Sequence, residues 1–212
     1  MIFTTTDLCE YYEDEHGVIH QVNATPYTYD ESYVDTYLSP EYRERSAALM
    51  GLRLGACLSA YSSVYNLRPT TILDVGYGDG SFLNLAKEII AHPMGMDVTG
   101  LPVPEGCTKL EEYQYADVVT YWDVFEHIED LSFIKDLLAQ VVVMSMPNVE
   151  GKDFDVWKHR KPNEHLHHFT PESLTKLMDS YGWELLFVNH SEDTIRKGAF
   201  NNILTAAFKR KV

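Results

Sequence analysis

The chain has 212 residues, 45% apolar and 12% aromatic, which suits one sizeable core with a small extension. Its formal net charge of −15 argues against long nucleic acid as a partner, because phosphate backbones are bound chiefly through Lys and Arg. Cys9, Cys57 and Cys107 form no CxxC pair and suggest neither a disulfide framework nor a structural zinc site; no run of 18 apolar residues occurs, and "MIFTTTDLCEYYEDEHG" lacks a charged-then-apolar leader, so a cytoplasmic protein without a membrane span is expected.

Residues 1–38 are polar and rich in tyrosine (Tyr11, Tyr12, Tyr27, Tyr29, Tyr33, Tyr37) and read as short extended pieces and turns. Ser39 can then cap a helix, Pro40 fits its first position and Glu41 suits its dipole. That helix is expected to run to about Tyr65 on a stripe of Leu49, Leu52, Leu54 and Leu58. "TILDV" has the texture of a buried strand, and "SFLNLAKEII" has helical spacing. "PMGMDV", the weak "TKLEEY", "ADVVTYW" and "VVVMSMPN" read as further strands, with a helix over "EDLSFIKDLLAQ". Thr170 and Pro171 start another helix that ends near Gly182. "WELLFVNH" and "NNILTAAFK" close the chain as an antiparallel pair, since about ten residues without a helix are too few for a parallel crossover. Strands alternating with helices predict an α/β fold, a mostly parallel sheet with helices on both faces.

The segment "LDVGYGDGSFL" joins a buried strand to a helix through a glycine-rich turn, at the sheet edge where such folds bind ligands. Gly76 and Gly78 let a ligand approach the backbone, and the amides at the helix start suit an anionic group. Asp97 ends the next strand, where a carboxylate can accept hydrogen bonds from both hydroxyls of a ribose. Asp74 and Asp79 would repel a pyrophosphate but favour an ammonium group. A nucleoside at one end and an amino acid at the other describe S-adenosylmethionine.

Through "ILDVGYGDGSFL", "GMDV", "ADVVTYWDVFEHIED", "VVVMSMPN" and "NEHLHHFTPESL", the chain resembles the class I S-adenosylmethionine-dependent methyltransferases over about residues 68–208. It looks most like the branch that includes many small-molecule, quinone and sugar methyltransferases. The resemblance implies a Rossmann-like, seven-stranded, mostly parallel sheet with an antiparallel last strand. It also implies that Asp74, Gly76, Tyr77, Gly78 and Gly80 line the methionine end, that Asp97 holds the ribose, and that Val98 and Trp122 flank the adenine or sulfonium region. Residues 1–67 would be an extension and helix covering the pocket, and residues 68–212 the cofactor-binding core of one structural domain. The compressed "TKLEEYQYADVV" leaves the adenine contact after the third strand unassigned.

Four histidines crowd into "HRKPNEHLHH" (His159 to His168), on a segment leaving the carboxyl edge of the sheet, where long loops form lids or substrate walls. In an extended segment His165 and His167 share one face, with Glu164, Leu166 and His168 on the other. In the resembled sugar methyltransferases an acid–histidine pair here moves a proton, and Glu164–His165 matches it, so His165 is expected as general base oriented by Glu164. The competing reading is that these histidines cap and pack the helix entry. His127, in "FEHIED", is the third catalytic candidate. Resembled quinone O-methyltransferases link acids and histidines near this position with a divalent metal; none is assigned here, and histidine-rich ligation would suit zinc or iron better than magnesium. The expected activity is methyl transfer to oxygen or carbon of a small-molecule acceptor such as a sugar, nucleotide or other metabolite. A nucleic-acid or protein methyltransferase using the basic "WKHRKP", or a catalytically silent cofactor-binding subunit, stays open, as does the oligomeric state.

Overall fold

A computed structural model describes residues 2–25, 27, 40–196 and 200–211, with side chains in the long helix described from residue 47 onward. Tyr29, Tyr33, Tyr37 and the expected cap Ser39 lie outside the described residues. The N-terminal extended pieces are β1 (Ile2–Thr4), β2 (Glu10–Glu13) and β3 (Ile19–Gln21), an antiparallel meander. Helix α1 (Pro40–Tyr65) follows. Its buried stripe is Met50, Leu54, Cys57 and Tyr61, on one helical face. Of the leucines expected there, Leu54 is buried and Leu49, Leu52 and Leu58 flank the stripe. Over Ala47–Tyr65 this helix is long and apolar enough, by composition alone, to cross a membrane; here its apolar face lies against the sheet.

The core continues with β4 (Thr71–Val75), α2 (Ser81–Ala86), β5 (His92–Met96), β6 (Thr108–Lys109), β7 (Ala116–Trp122) and β8 (Ala139–Pro147). It ends with β9 (His167–His168), α3 (Pro171–Ser180), β10 (Trp183–Asn189), α4 (Asp193–Arg196) and β11 (Ile203–Arg210). The main sheet has the order β10-β11-β8-β7-β4-β5-β6, with β11 reversed between β8 and β10. β4, β7 and β8 are covered on both sides, which is why they are near-continuous apolar runs. Leu73, Val119, Val142 and Met144 face α3 through Leu174, Leu177 and Met178. Alternate residues Ile72, Val118, Val141 and Val143 face α1 and α2 through Leu54, Cys57 and Phe82. Each such fully buried side chain stabilises the fold by about 1.5–3 kcal/mol.

Two expected helices are shorter than their sequence patterns. The one over "SFLNLAKEII" is α-helical only to Ala86; Glu88 N and Ile89 N then bond three residues back, tightening the chain so that β5 can start at His92. The one over "EDLSFIKDLLAQ" is a 3₁₀ turn, Leu131–Lys135, capped by the Asp130 carboxylate. Ala139 already pairs with Ala116, so β8 begins before a helix has room to form. α3 matches its expectation: Thr170 and Ser173 satisfy each other's backbone amides in a capping box, with Pro171 opening the helix.

The meander has a fourth strand with no counterpart in the sequence reading. β9, inside the histidine stretch, pairs with β3 (Ile19 with His168, His20 with His167). Tyr11 is fully buried in this layer, against the rings of Phe3, Phe154 and His168.

Candidate active site

The carboxyl ends of β4, β5 and β7 open onto one cavity of about 340 Å³. After β4 the chain turns through Gly76, whose φ is +72°; a Cβ there would stand 2.4 Å from Val124 Cγ2, so packing demands glycine. Gly78 differs: a Cβ would meet nothing within 4 Å, so here the backbone itself borders the open cavity. Its amide donates to Asp97 Oδ2 (2.8 Å), and Asp97 Oδ1 accepts from the Thr99 amide (2.7 Å) and hydroxyl (2.5 Å). The acid at the end of β5 is thus fixed beside the glycine turn, with the largely exposed Val98 at the cavity rim.

Asp74 lines the cavity yet is only 2% exposed. Burial pushes its carboxyl up to about 7, against the lowering effect of the Thr120 hydroxyl that donates to it (2.7 Å) and of Arg53. Tyr77 also lines the cavity; its hydroxyl donates to the Leu101 carbonyl and its ring covers Gly95. Trp122, at the end of β7, packs edge-on against Phe82 and beneath the Arg53 guanidinium, 4.8 Å from its ring centroid. Its indole N–H is buried, borders the cavity and finds no acceptor among the described residues.

Three expected site residues do not line this cavity. Gly80 is the left-handed N-cap of α2, with Pro104 Cγ 2.6 Å from where a Cβ would stand; its glycine serves packing. Glu164 directs its carboxylate to Lys161 Nζ (2.7 Å). His165 sits behind His127, its ring edge-on at 4.7 Å between centroids, and burial, with His127 and Lys161 nearby, pushes its pKa down to about 2. His127 does line the cavity. Its Nδ1 donates to the Glu164 carbonyl (2.7 Å), so Nε2 carries the lone pair, and burial lowers its pKa. Next to it Glu126 is 1% exposed, and neither carboxylate oxygen has a hydrogen-bond partner among the described residues, Oε1 lying 4.0 Å from His127 Nε2. Burial, reinforced by Asp123, pushes that carboxyl well above the usual range.

His167 and His168 are architectural. His167 Nε2 donates to the Ile128 carbonyl (2.8 Å), so its Nδ1 accepts from His20 Nδ1 (2.7 Å). His20 Nε2 faces Asp14 Oδ2 at 3.0 Å. His168 turns the other way, among Tyr11, Phe154 and Trp157. Sequence reasoning missed a buried ion-pair network on the cavity wall. Arg53 bonds Glu192 (2.9 Å) and Asp123 (2.8 Å), and Arg196 bonds the same two acids (2.5 and 2.6 Å). Burial would raise the Asp123 carboxyl, but Arg196 and Arg53 hold it well below the usual range. The available signal was Arg53 itself, a cation inside an apolar helical stretch.

A seven-stranded sheet with one reversed strand, a glycine turn after its central strand and an acid ending the next, all facing one cavity, define an S-adenosylmethionine-dependent methyltransferase. Residues 41–188 match the family described as "Methyltransferase domain", and the chain belongs to that family. No curated protein matches the chain. Similar solved structures include a Listeria monocytogenes protein assigned to the S-adenosylmethionine-dependent methyltransferases (15% identity, covering 78% of this chain and 100% of that one, TM-score 0.56). The 1,6-didemethyltoxoflavin-N1-methyltransferase of Burkholderia thailandensis, with 1,6-didemethyltoxoflavin and S-adenosylhomocysteine bound, shares 14% identity (95% and 98% covered, TM-score 0.57). The plantazolicin methyltransferase BpumL, in complex with S-adenosylhomocysteine, also shares 14% (84% and 94%, TM-score 0.55). At these identities the likeness is one of fold. The cavity fits the cofactor S-adenosylmethionine: open space above Gly78, a pre-oriented acid at the rim and a buried indole N–H awaiting an acceptor.

Proposed function

We propose that the chain methylates an oxygen or carbon of a small-molecule acceptor held against Met50, Arg53, Asp123, His127 and Ile128, across the cavity from the glycine turn. The observation that carries this reading is that His127 and the glycine turn border the same cavity. S-adenosylmethionine supplies an already activated methyl group, so the protein's task is alignment and, for a hydroxyl or carbon acid, removal of a proton. Of the expected catalytic trio, His127 faces the acceptor. Glu164 fixes its tautomer through the backbone carbonyl, and His165 braces its ring from behind. A cover formed by residues 1–67 is supported by Met50 and Arg53, which α1 contributes to the wall.

The cavity volume lies at the small end of the range for ligand sites, and a bound cofactor takes a large share of it. That favours a small acceptor over a nucleic acid. In "WKHRKP", the buried Arg160 is committed to Asp7, which removes one of its cations from any phosphate-binding patch. Calorimetric titration with S-adenosylmethionine tests the reading, with Asp97→Ala as control. Micromolar binding, about −8 kcal/mol, that the control loses supports it. Absence of binding by the folded wild-type chain overturns it, and binding without turnover across small-molecule acceptors favours the silent-subunit alternative.

A further inference from the structure

We propose that His20 is held as an imidazolium, and that Asp14, His20 and His167 form a proton-dependent clamp fixing the N-terminal meander to the cavity wall at Ile128. The contacts run from Asp14 Oδ2 to His20 Nε2 (3.0 Å), from His20 Nδ1 to His167 Nδ1 (2.7 Å), and from His167 Nε2 to the Ile128 carbonyl (2.8 Å). A backbone carbonyl and an ionised carboxylate can only accept. Each outer ring nitrogen must therefore carry a proton, and one more must lie between the two Nδ1 atoms. Two neutral imidazoles bring only one N–H each. The pair thus holds one proton more than two neutral rings, and Asp14 is its counter-ion.

The surroundings fix where that proton sits. Asp14 Oδ1 accepts from the amides of His16 and Val18 (both 2.9 Å), which leaves Oδ2 for His20. Burial works to raise the Asp14 carboxyl, but the bonds with His20 and the Val18 amide outweigh it and hold it below the ordinary range. Burial, with His20 nearby, pushes His167 down to about 4, so the extra proton belongs to His20. The other titratable groups around the pair are Tyr12 of β2, its ring stacked on His20 at 4.8 Å, His168 of β9, and Tyr181 at the end of α3, near Asp14. β3 and β9 pair over two residues only, so these ring contacts supply much of what ties the meander to the wall. Loss of the proton at high pH leaves two acceptors facing each other at one of the contacts. A second proton, entering His167 at low pH, sets two N–H groups against each other. The clamp is complete only between these limits.

The proposal concerns these side chains and stands whether or not the acceptor reading does. Full-length protein with nitrogen-15-labelled histidine and carbon-13-labelled isoleucine methyls is followed by NMR from about pH 5 to 9. In wild type, one histidine is expected to have both ring nitrogens protonated at neutral pH, assigned by its loss in His20→Asn. The Ile128 methyl signal should shift as that proton leaves. Asp14→Asn keeps the oxygen that accepts the two amides and offers an N–H to a neutral His20, so the doubly protonated ring should be lost at the same pH. Circular dichroism reports whether the variants fold, and the wild-type spectrum decides alone if Asp14→Asn does not. A folded wild-type protein whose His20 carries a single ring proton at neutral pH would overturn the proposal, as would a folded Asp14→Asn that retains the doubly protonated ring. An Ile128 signal that stays fixed while His20 titrates would overturn the clamp.

Discussion

Asp74 should trade stability for ligand binding. Its carboxyl is buried and accepts one hydrogen bond from Thr120, and burial carries its pKa from an ordinary 3.8 to about 7. For a carboxyl raised by folding, the stabilising contribution of the neutral form is fully present below the unfolded pKa and is lost as pH rises through the folded one. The gap corresponds to about 4 kcal/mol. Asp74→Asn keeps an oxygen to accept the Thr120 proton and removes the charge. The variant should therefore be nearly neutral near pH 3, more stable than wild type by about 2 kcal/mol at pH 5 and by about 4 kcal/mol at pH 8. These are upper bounds, because water in the open cavity solvates part of the charge. Urea unfolding of both proteins across that range is the assay. A stability difference that stays flat with pH, or a variant less stable at pH 8, would refute the reasoning.

The same titration makes wild-type affinity for S-adenosylmethionine fall by up to about tenfold per pH unit below 7, if its ammonium group requires the ionised Asp74; calorimetry should find that slope missing in Asp74→Asn. Gly76→Ala forces a side chain into left-handed backbone and against Val124, at about 2–4 kcal/mol; Val124→Ala should restore the steric part but not the backbone part in thermal melts. Arg53→Met should cost about 3 kcal/mol in urea unfolding, near the low end for breaking a buried pair, because Arg196 remains on Glu192 and Asp123. Asp14 accepts from the amides of His16 and Val18 as well as facing His20, and its pKa is lowered despite burial. Asp14→Ala should speed amide exchange over residues 10–21, and the difference should shrink as pH falls below the usual carboxylate range.

What could be read from the sequence was what is decided locally. β4, β7 and β8 are buried on both faces, so their apolar runs carry their own signature, and the glycine turn with Asp97 marks the cavity within one βαβ unit. Ala139 shows the limit: cross-strand pairing with Ala116 decides where β8 begins, and that removed the helix expected over residues 129–140. β9 is two residues long and owes its existence to Ile19 and His20, so no periodicity could announce it. In the site, the "FEHIED" motif pointed to His127, but the lack of a hydrogen-bond partner for the Glu126 carboxylate becomes visible only when every neighbour is in place. The Arg53 network likewise joins residues up to 143 positions apart, beyond any local pattern.

The pairing of β3 with β9 also sets a timetable. His20 and His167 are 147 residues apart, so the first hairpins leave the ribosome long before their closing strand exists. At about 5–20 residues per second, the nascent N-terminal segment waits roughly 7–30 s with an unpaired strand edge before β9 can seal it. Non-local closure of this kind slows folding, and the small sheet is expected to zip up last, after the larger one has already brought the histidine segment into place.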